Sequence, residues 1–226
     1  MSGRGRSGGL TNAQQRRMQV LVSDAQYATW ADRATLVAAG IFTAFFTDVG
    51  VGGSWWSYHG GRWRPVGGRV VLKNLLTIVT NNAAPKVVLD YCILLTGLVQ
   101  DGDVIMVSLK KDRTGGTSDT DATDCLLGTV ATTLGTSLGL TTSALATTQL
   151  ELSLEWKYRR INATTIRPAS INGSTGLGAS NAAIPDATVS NMDSQMTYLQ
   201  VSSDLTTAGG EVARLTSFMV TLIAGA

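Results

Sequence analysis

One histidine, two cysteines and four prolines in 226 residues leave little material for several common chemistries. A Ser-His-Asp or Cys-His site would have to use His59, which stands in a glycine turn, and neither Asp48, Ser54 nor Ser57 near it sits in a nucleophile elbow. Cys92 and Cys125 lie in separate apolar stretches with no second cysteine or histidine at metal-ligand spacing. They read as buried free thiols rather than a disulfide framework. Charge is scarce as well: 15% of residues are Asp, Glu, Lys or Arg against about 25% in an average globular protein. Such a surface suits a protein whose faces are covered by partners. No run reaches the roughly 20 apolar residues needed to span a bilayer, and the N-terminus lacks the apolar core of a signal peptide, so the sequence predicts a soluble, unprocessed chain with no membrane insertion.

Other motifs are incomplete. Asp119, Asp121 and Asp124 open like a calcium loop, but the twelfth position is Val130 rather than Glu and the sixth is Asp124 rather than Gly. Gly173 to Gly178 has the wrong glycine order for a dinucleotide fingerprint, and no Gly-Lys-Ser or Gly-Lys-Thr follows any glycine loop. Glu151 and Glu155 lie four residues apart on one strand face, about 13 Å, too far for paired glycosidase acids. No catalytic residue, metal site or cofactor is expected.

What the chain does have is aromatic residues between glycines. Phe45 to Val66 holds Trp55, Trp56, Tyr58 and Trp63, with a turn at Asp48–Ser54 and another at His59-Gly60-Gly61. Trp56 and Tyr58 alternate on one side of a strand and Arg62-Trp63-Arg64 returns beside it, which predicts a small meander stapled by cross-strand aromatic pairs. Such rings build a core or subunit contact more often than a sugar platform.

Three regions follow. Residues 1–22 form an arm of Gly, Ser and Arg, carrying Arg4 and Arg6, and then a short helix over Thr11–Leu21 with Arg16 and Arg17. These four arginines suit anchoring on an acidic protein surface better than on nucleic acid. Residues 23–68 hold an Ala-rich lead-in and the aromatic meander, and Gly67-Gly68 marks a boundary. Residues 69–226 show short strands separated by turns, as in a β-sandwich. The expected strands are Leu75–Thr80, Val87–Val99, Val104–Lys110, Cys125–Val130, Leu150–Tyr158 running on to a stop at Pro168, Ala187–Val189, Thr197–Ser203 and Leu215–Ala224. Arg113–Asp124 reads as a polar loop, and Gly135–Thr148 as irregular chain with one weak strand. The predicted fold is mainly β: arm and short helix, aromatic meander, then a jelly-roll-like sandwich.

The stretch Thr47 to Val66, with its aspartate, glycines, aromatic strand and Arg-Trp-Arg-Pro, is similar to a segment of tailed-bacteriophage virion proteins of tail-fibre, head-fibre and structural type. Trp156 to Ile166, with Arg160-Ile161-Asn162-Ala163-Thr164-Thr165, resembles their distal β-domain. The resemblance implies a non-enzymatic homotrimeric appendage, assembled in the host cytoplasm. Its N-terminal arm would fix it to other virion proteins, its collar would be made by Trp55, Trp56, Tyr58 and Trp63, and a host-surface glycan is a further candidate partner. A head fibre or capsid decoration protein is the near alternative. A carbohydrate-binding module, with those four rings stacking on sugars, comes next, and a glycan hydrolase or esterase last.

Overall fold

The computed structural model describes residues 26–75, 77–81, 86–115, 121–145, 151–173, 185–205 and 211–225. The arm, Arg4, Arg6, Arg16, Arg17 and the expected helix at Thr11–Leu21 lie outside these residues, as does Asp119.

The first sheet contains β1 (Gln26–Ala28), β2 (Thr43–Phe46), β3 (Ser54–His59) and β4 (Arg62–Pro65), in that spatial order. β1 runs parallel to β2 and the other pairs are antiparallel. Between β1 and β2 the Ala-rich lead-in becomes a 3-10 turn at Trp30–Asp32 and a short helix, α1 (Arg33–Ala38). Asp32 fixes the start of the 3-10 turn by accepting hydrogen bonds from the Thr29 N–H (2.9 Å) and hydroxyl (2.7 Å). The β3–β4 reversal uses Gly60 and Gly61, with φ of 61° and 81°. Two consecutive positive φ values are what a two-residue type I′ hairpin requires, and glycine adopts them without steric cost.

The sandwich is built from two further sheets. Its strands are β5 (Arg69–Asn74), β6 (Val79–Asn81), β7 (Val87–Leu94), β8 (Val104–Gly115), β9 (Asp121–Gly128), β10 (Thr136–Leu145), β11 (Glu151–Asn162), β12 (Thr165–Gly173), β13 (Ala187–Thr188), β14 (Thr197–Leu205) and β15 (Glu211–Ile223). One sheet has the order β13-β12-β11-β8-β15-β5, with β6 also on β15, and the other β10-β9-β14-β7. If β5, β7, β8, β9, β10, β11, β14 and β15 are lettered B to I, the sheets read B-I-D-G and C-H-E-F. The chain crosses between sheets at each of these steps except the E–F hairpin. That is the strand order of a jelly roll, with β12 and β13 widening one sheet.

Period-two alternation explains the core. On β11 Leu152, Leu154, Trp156, Tyr158 and Arg160 point inward and are buried, while Glu151, Ser153 and Arg159 face water. β8 presents Ile105, Val107, Leu109 and Lys111 to the same layer. On β15 Leu215 and Phe218 are both buried although three residues apart, because the register against β8 shifts between Leu215 and Ser217. Without that bulge Phe218 would have turned outward. Across the core stand Cys92, Cys125, Leu127, Leu199 and Val201 from the other sheet. β14 is buried on both faces, since the outward Gln200 is capped by the loop after β9: its amide donates to the carbonyls of Val130 (2.8 Å) and Thr133 (2.7 Å) and accepts from the Gly135 N–H (2.9 Å).

Several segments depart from the sequence expectation. The region read as a loop from Arg113 to Asp124 is strand at both ends, because β15 and β14 offer long ladders against which β8 reaches Gly115 and β9 begins at Asp121. Gly135–Thr148 contains the ten-residue β10, whose two register shifts against β9 account for its lack of a clear period. Strand β11 stops at Asn162, whose carboxamide accepts from the Thr164 N–H and closes a tight turn. Pro168 ends nothing; it lies inside β12 opposite Tyr158, at the register shift where a missing donor is tolerated. Among the described residues of Leu75–Thr80, only Val79 and Thr80 join a strand, β6.

Candidate functional site

The two faces of the first sheet are chemically different, and adjacent tryptophans divide between them. Ala44, Phe46, Trp56, Tyr58 and Trp63 face the sandwich, while Phe45 and Trp55 point away and Tyr27 on β1 pairs beside Phe45. On the inner face Trp30 meets Phe46 and Trp56, each at 5.0 Å between ring centroids and edge to face, and Trp63 meets Phe46 at 5.1 Å. Each indole N–H has a partner. Trp30 donates to the Thr96 carbonyl (3.0 Å), Trp56 to the Ser54 hydroxyl (2.7 Å) and Trp63 to the Arg33 carbonyl (3.3 Å). Trp56 and Trp63 therefore close the chain's own core at 1% and 4% exposure. Of the four rings expected to form a collar, Trp56 and Trp63 are buried in the chain's own core and Tyr58 is half-buried against Trp63 and Phe42. Trp55 alone of the three tryptophans is exposed, at 41%.

Polar contacts lock this sheet to the end of the sandwich. Arg62 donates to the carbonyls of Asp101 (3.0 Å) and Gly225 (3.2 Å), and Arg64 also donates to Gly225. The Gly225 N–H in turn reaches the Asp103 carboxylate (2.8 Å), whose pKa is raised by burial against the pull of the Gly225 and Gln100 N–H groups. Nearby, buried Arg160 holds Asp193 through two nitrogens (2.8 and 2.6 Å) and Asp101 through Nε (2.9 Å), tying two loops to β11.

Beside β5 and β7 lies an open cleft of about 540 Å³, lined by Leu72, Lys73, Asp90, Tyr91 and Ile93 among others, with Lys73 and Asp90 paired at 3.0 Å. A second polar feature is sealed inside the sandwich. Lys111 and Asp121, both fully buried, are 2.6 Å apart; Lys111 also donates to the Thr123 hydroxyl (2.9 Å) and Asp121 accepts from Ser203 (2.6 Å). Burial drives the Lys111 pKa down against the upward pull of Asp121.

The remaining candidates stay apart. His59 Nδ1 is 3.5 Å from the Ser57 hydroxyl at the tip of the hairpin, and among the described residues no carboxylate makes a hydrogen bond to its ring. Asp121 and Asp124 serve Lys111 and Lys86. Glu155 pairs with Lys157 at 3.0 Å on the outer face of β11. Among the described residues no three His, Cys, Asp or Glu side chains converge as metal ligands. Cys92 and Cys125 are free and buried, and burial pushes the Cys92 thiol up to about 12.

Three features escaped the sequence reading: the outward row of Tyr27, Phe45 and Trp55, the Lys73–Asp90 cleft and the Lys111–Asp121 pair. The first had a signal, since Trp55 and Trp56 are neighbours on one strand and must face opposite ways. The other two depend on which strands become neighbours across the sandwich. No family model matches the chain, and no curated protein matches it.

Proposed function

We propose that this chain is a non-enzymatic structural protein of a bacteriophage virion, which associates with copies of itself and is anchored through its N-terminal arm. The observation that carries the proposal is the strand order B-I-D-G over C-H-E-F. Jelly rolls serve viral capsids, lectins and cupins, and architecture alone does not choose among them. The side chains narrow the choice. A lectin site built on Trp56 and Trp63 is disfavoured because both rings are buried, and a metal-dependent use of the barrel would need convergent ligands, which the described residues do not supply. A sparse charge content and an exposed aromatic row suit a particle subunit.

One form of the proposal is the homotrimeric tail-fibre-like appendage implied by the sequence resemblance. A second form, a subunit seated in or on the head shell, is favoured by the jelly-roll order, because viral capsid domains use this architecture. Immunogold labelling of purified virions tests the reading: gold on the head supports the shell form, gold on the tail the appendage form, and unlabelled particles overturn both.

A further inference from the structure

Tyr27, Phe45 and Trp55 lie abreast on β1, β2 and β3 because Tyr27 pairs with Phe45 and Phe45 pairs with Trp55. Val66 extends the row, its N–H donating to the Trp55 carbonyl. Ring centroids are 5.3 Å apart for Tyr27–Phe45 and 5.4 Å for Phe45–Trp55, yet the planes are inclined by 55° and 68°. A sugar platform needs ring faces open in one plane; rings turned against one another offer a ridge, which suits insertion between side chains. Tyr27 is 76% exposed and Val66 58%, so the ridge stands in water with no covering element among the described residues. A contiguous apolar patch of this kind marks an interaction surface.

The partner's chemistry is constrained by what the chain itself presents. The formal net charge is +2, and Arg4, Arg6, Arg16 and Arg17 alone exceed it, so the rest of the chain has no positive excess and repels a second copy little. The cleft between β5 and β7 is the concave counterpart. Leu72, Tyr91 and Ile93 give it apolar walls, Ile93 is 46% exposed, and of its three charged residues Lys73 and Asp90 pair at 3.0 Å while Asp48 accepts a hydrogen bond from the Trp30 N–H (2.7 Å). Its volume of about 540 Å³ lies within the 300–1,000 Å³ of pockets that enclose a ligand.

We infer that the aromatic ridge of one copy docks in the β5–β7 cleft of the next, a head-to-tail contact between two unlike patches of the same chain. Repeated contacts of this type close into rings or extend into helical filaments, whereas a ridge-to-ridge contact would stop at a two-fold dimer. The inference rests on the proposed self-association and adds which surfaces make it. Trp55 and Tyr27 act as the anchors and Ile93 as the wall they press against, with the Lys73–Asp90 pair at the rim.

The test uses the full-length chain and three variants: Trp55→Arg, Tyr27→Arg and Ile93→Arg. Each should melt near the wild-type temperature, because all three side chains are substantially exposed, but should weaken association by at least about tenfold. Mixing then reads the geometry. A ridge variant keeps its cleft and a cleft variant keeps its ridge, so Trp55→Arg with Ile93→Arg should form a one-to-one dimer that grows no further, seen by light scattering. Two ridge variants mixed together should stay monomeric. If the wild type associates and the variants associate equally well, this contact is wrong while self-association stands. If both variants are folded monomers but their mixture makes no dimer, the pairing of ridge with cleft is wrong. A wild type that is monomeric at all accessible concentrations overturns both the contact and the self-association behind it.

Discussion

Replacing Lys111 by Met should be among the most damaging single substitutions in the sandwich. The ammonium lies 2.6 Å from the Asp121 carboxylate, and both side chains are fully shielded from water. Removing the cation leaves a buried anion with the Ser203 hydroxyl as its remaining short contact. Breaking a buried pair from one side costs about 3–5 kcal/mol, because the surviving charge has lost its compensation. Asp121→Leu should cost a similar amount for the opposite reason, leaving an ammonium beside the Thr123 hydroxyl. The double variant, Lys111→Met with Asp121→Leu, puts two apolar side chains where the charges were. Its expected deficit is about 1–2 kcal/mol, mainly the two hydrogen bonds lost by the Ser203 and Thr123 hydroxyls at roughly 1 kcal/mol each. The measurement is urea unfolding followed by circular dichroism at pH 7, as a double-mutant cycle with an expected coupling of several kcal/mol. Single losses below about 1 kcal/mol, or a double variant as unstable as the two singles added together, would refute the reasoning.

Three further outcomes follow from the same geometry. Trp56→Ala and Trp63→Ala should each lower stability by about 3–5 kcal/mol, whereas Trp55→Ala should cost about 1 kcal/mol or less and His59→Ala little, as judged by chemical denaturation. Gly61→Ala adds a methyl into open space and should suffer only the backbone penalty of positive φ, about 1 kcal/mol; Gly53→Ala also puts a Cβ 2.5 Å from the Phe45 ring and should cost clearly more. Neither Cys92 nor Cys125 should react with a thiol reagent in the native protein at pH 8, and both should react in denaturant. Because burial raises the Cys92 pKa from 9.0 to about 12, the unfolded chain loses its proton first, so above pH 9 stability should fall by about 1.4 kcal/mol per pH unit for this thiol.

Local periodicity made much of this legible in the sequence. The alternation of Leu152, Leu154, Trp156 and Tyr158 marked the core face of β11 before any partner strand was known, and Gly60-Gly61 marked the tightest turn. The segments that misled are those whose state is decided by distant partners. The polar residues Lys111 and Asp112 look like the approach to a loop, but β15 pairs with them for the full length of β8, and Lys111 becomes a buried ion only because Asp121 arrives opposite it. Thr136–Leu145 has weak intrinsic pattern and is a strand because β9 offers it an edge. Trp56 and Trp63 were legible as packing residues, yet a sequence does not say whether the surface they cover belongs to the same chain. Here it is supplied by Trp30 and Phe46, and the ring left for other contacts is the neighbour, Trp55.

The self-association of the chain is tested most directly by its mass in solution. Light scattering of the purified full-length protein, across micromolar concentrations and in moderate salt, should give a defined multiple of the 23.7 kDa chain mass, three-fold for the appendage form and far larger closed particles for the shell form. A single species at 23.7 kDa throughout that range would contradict the account.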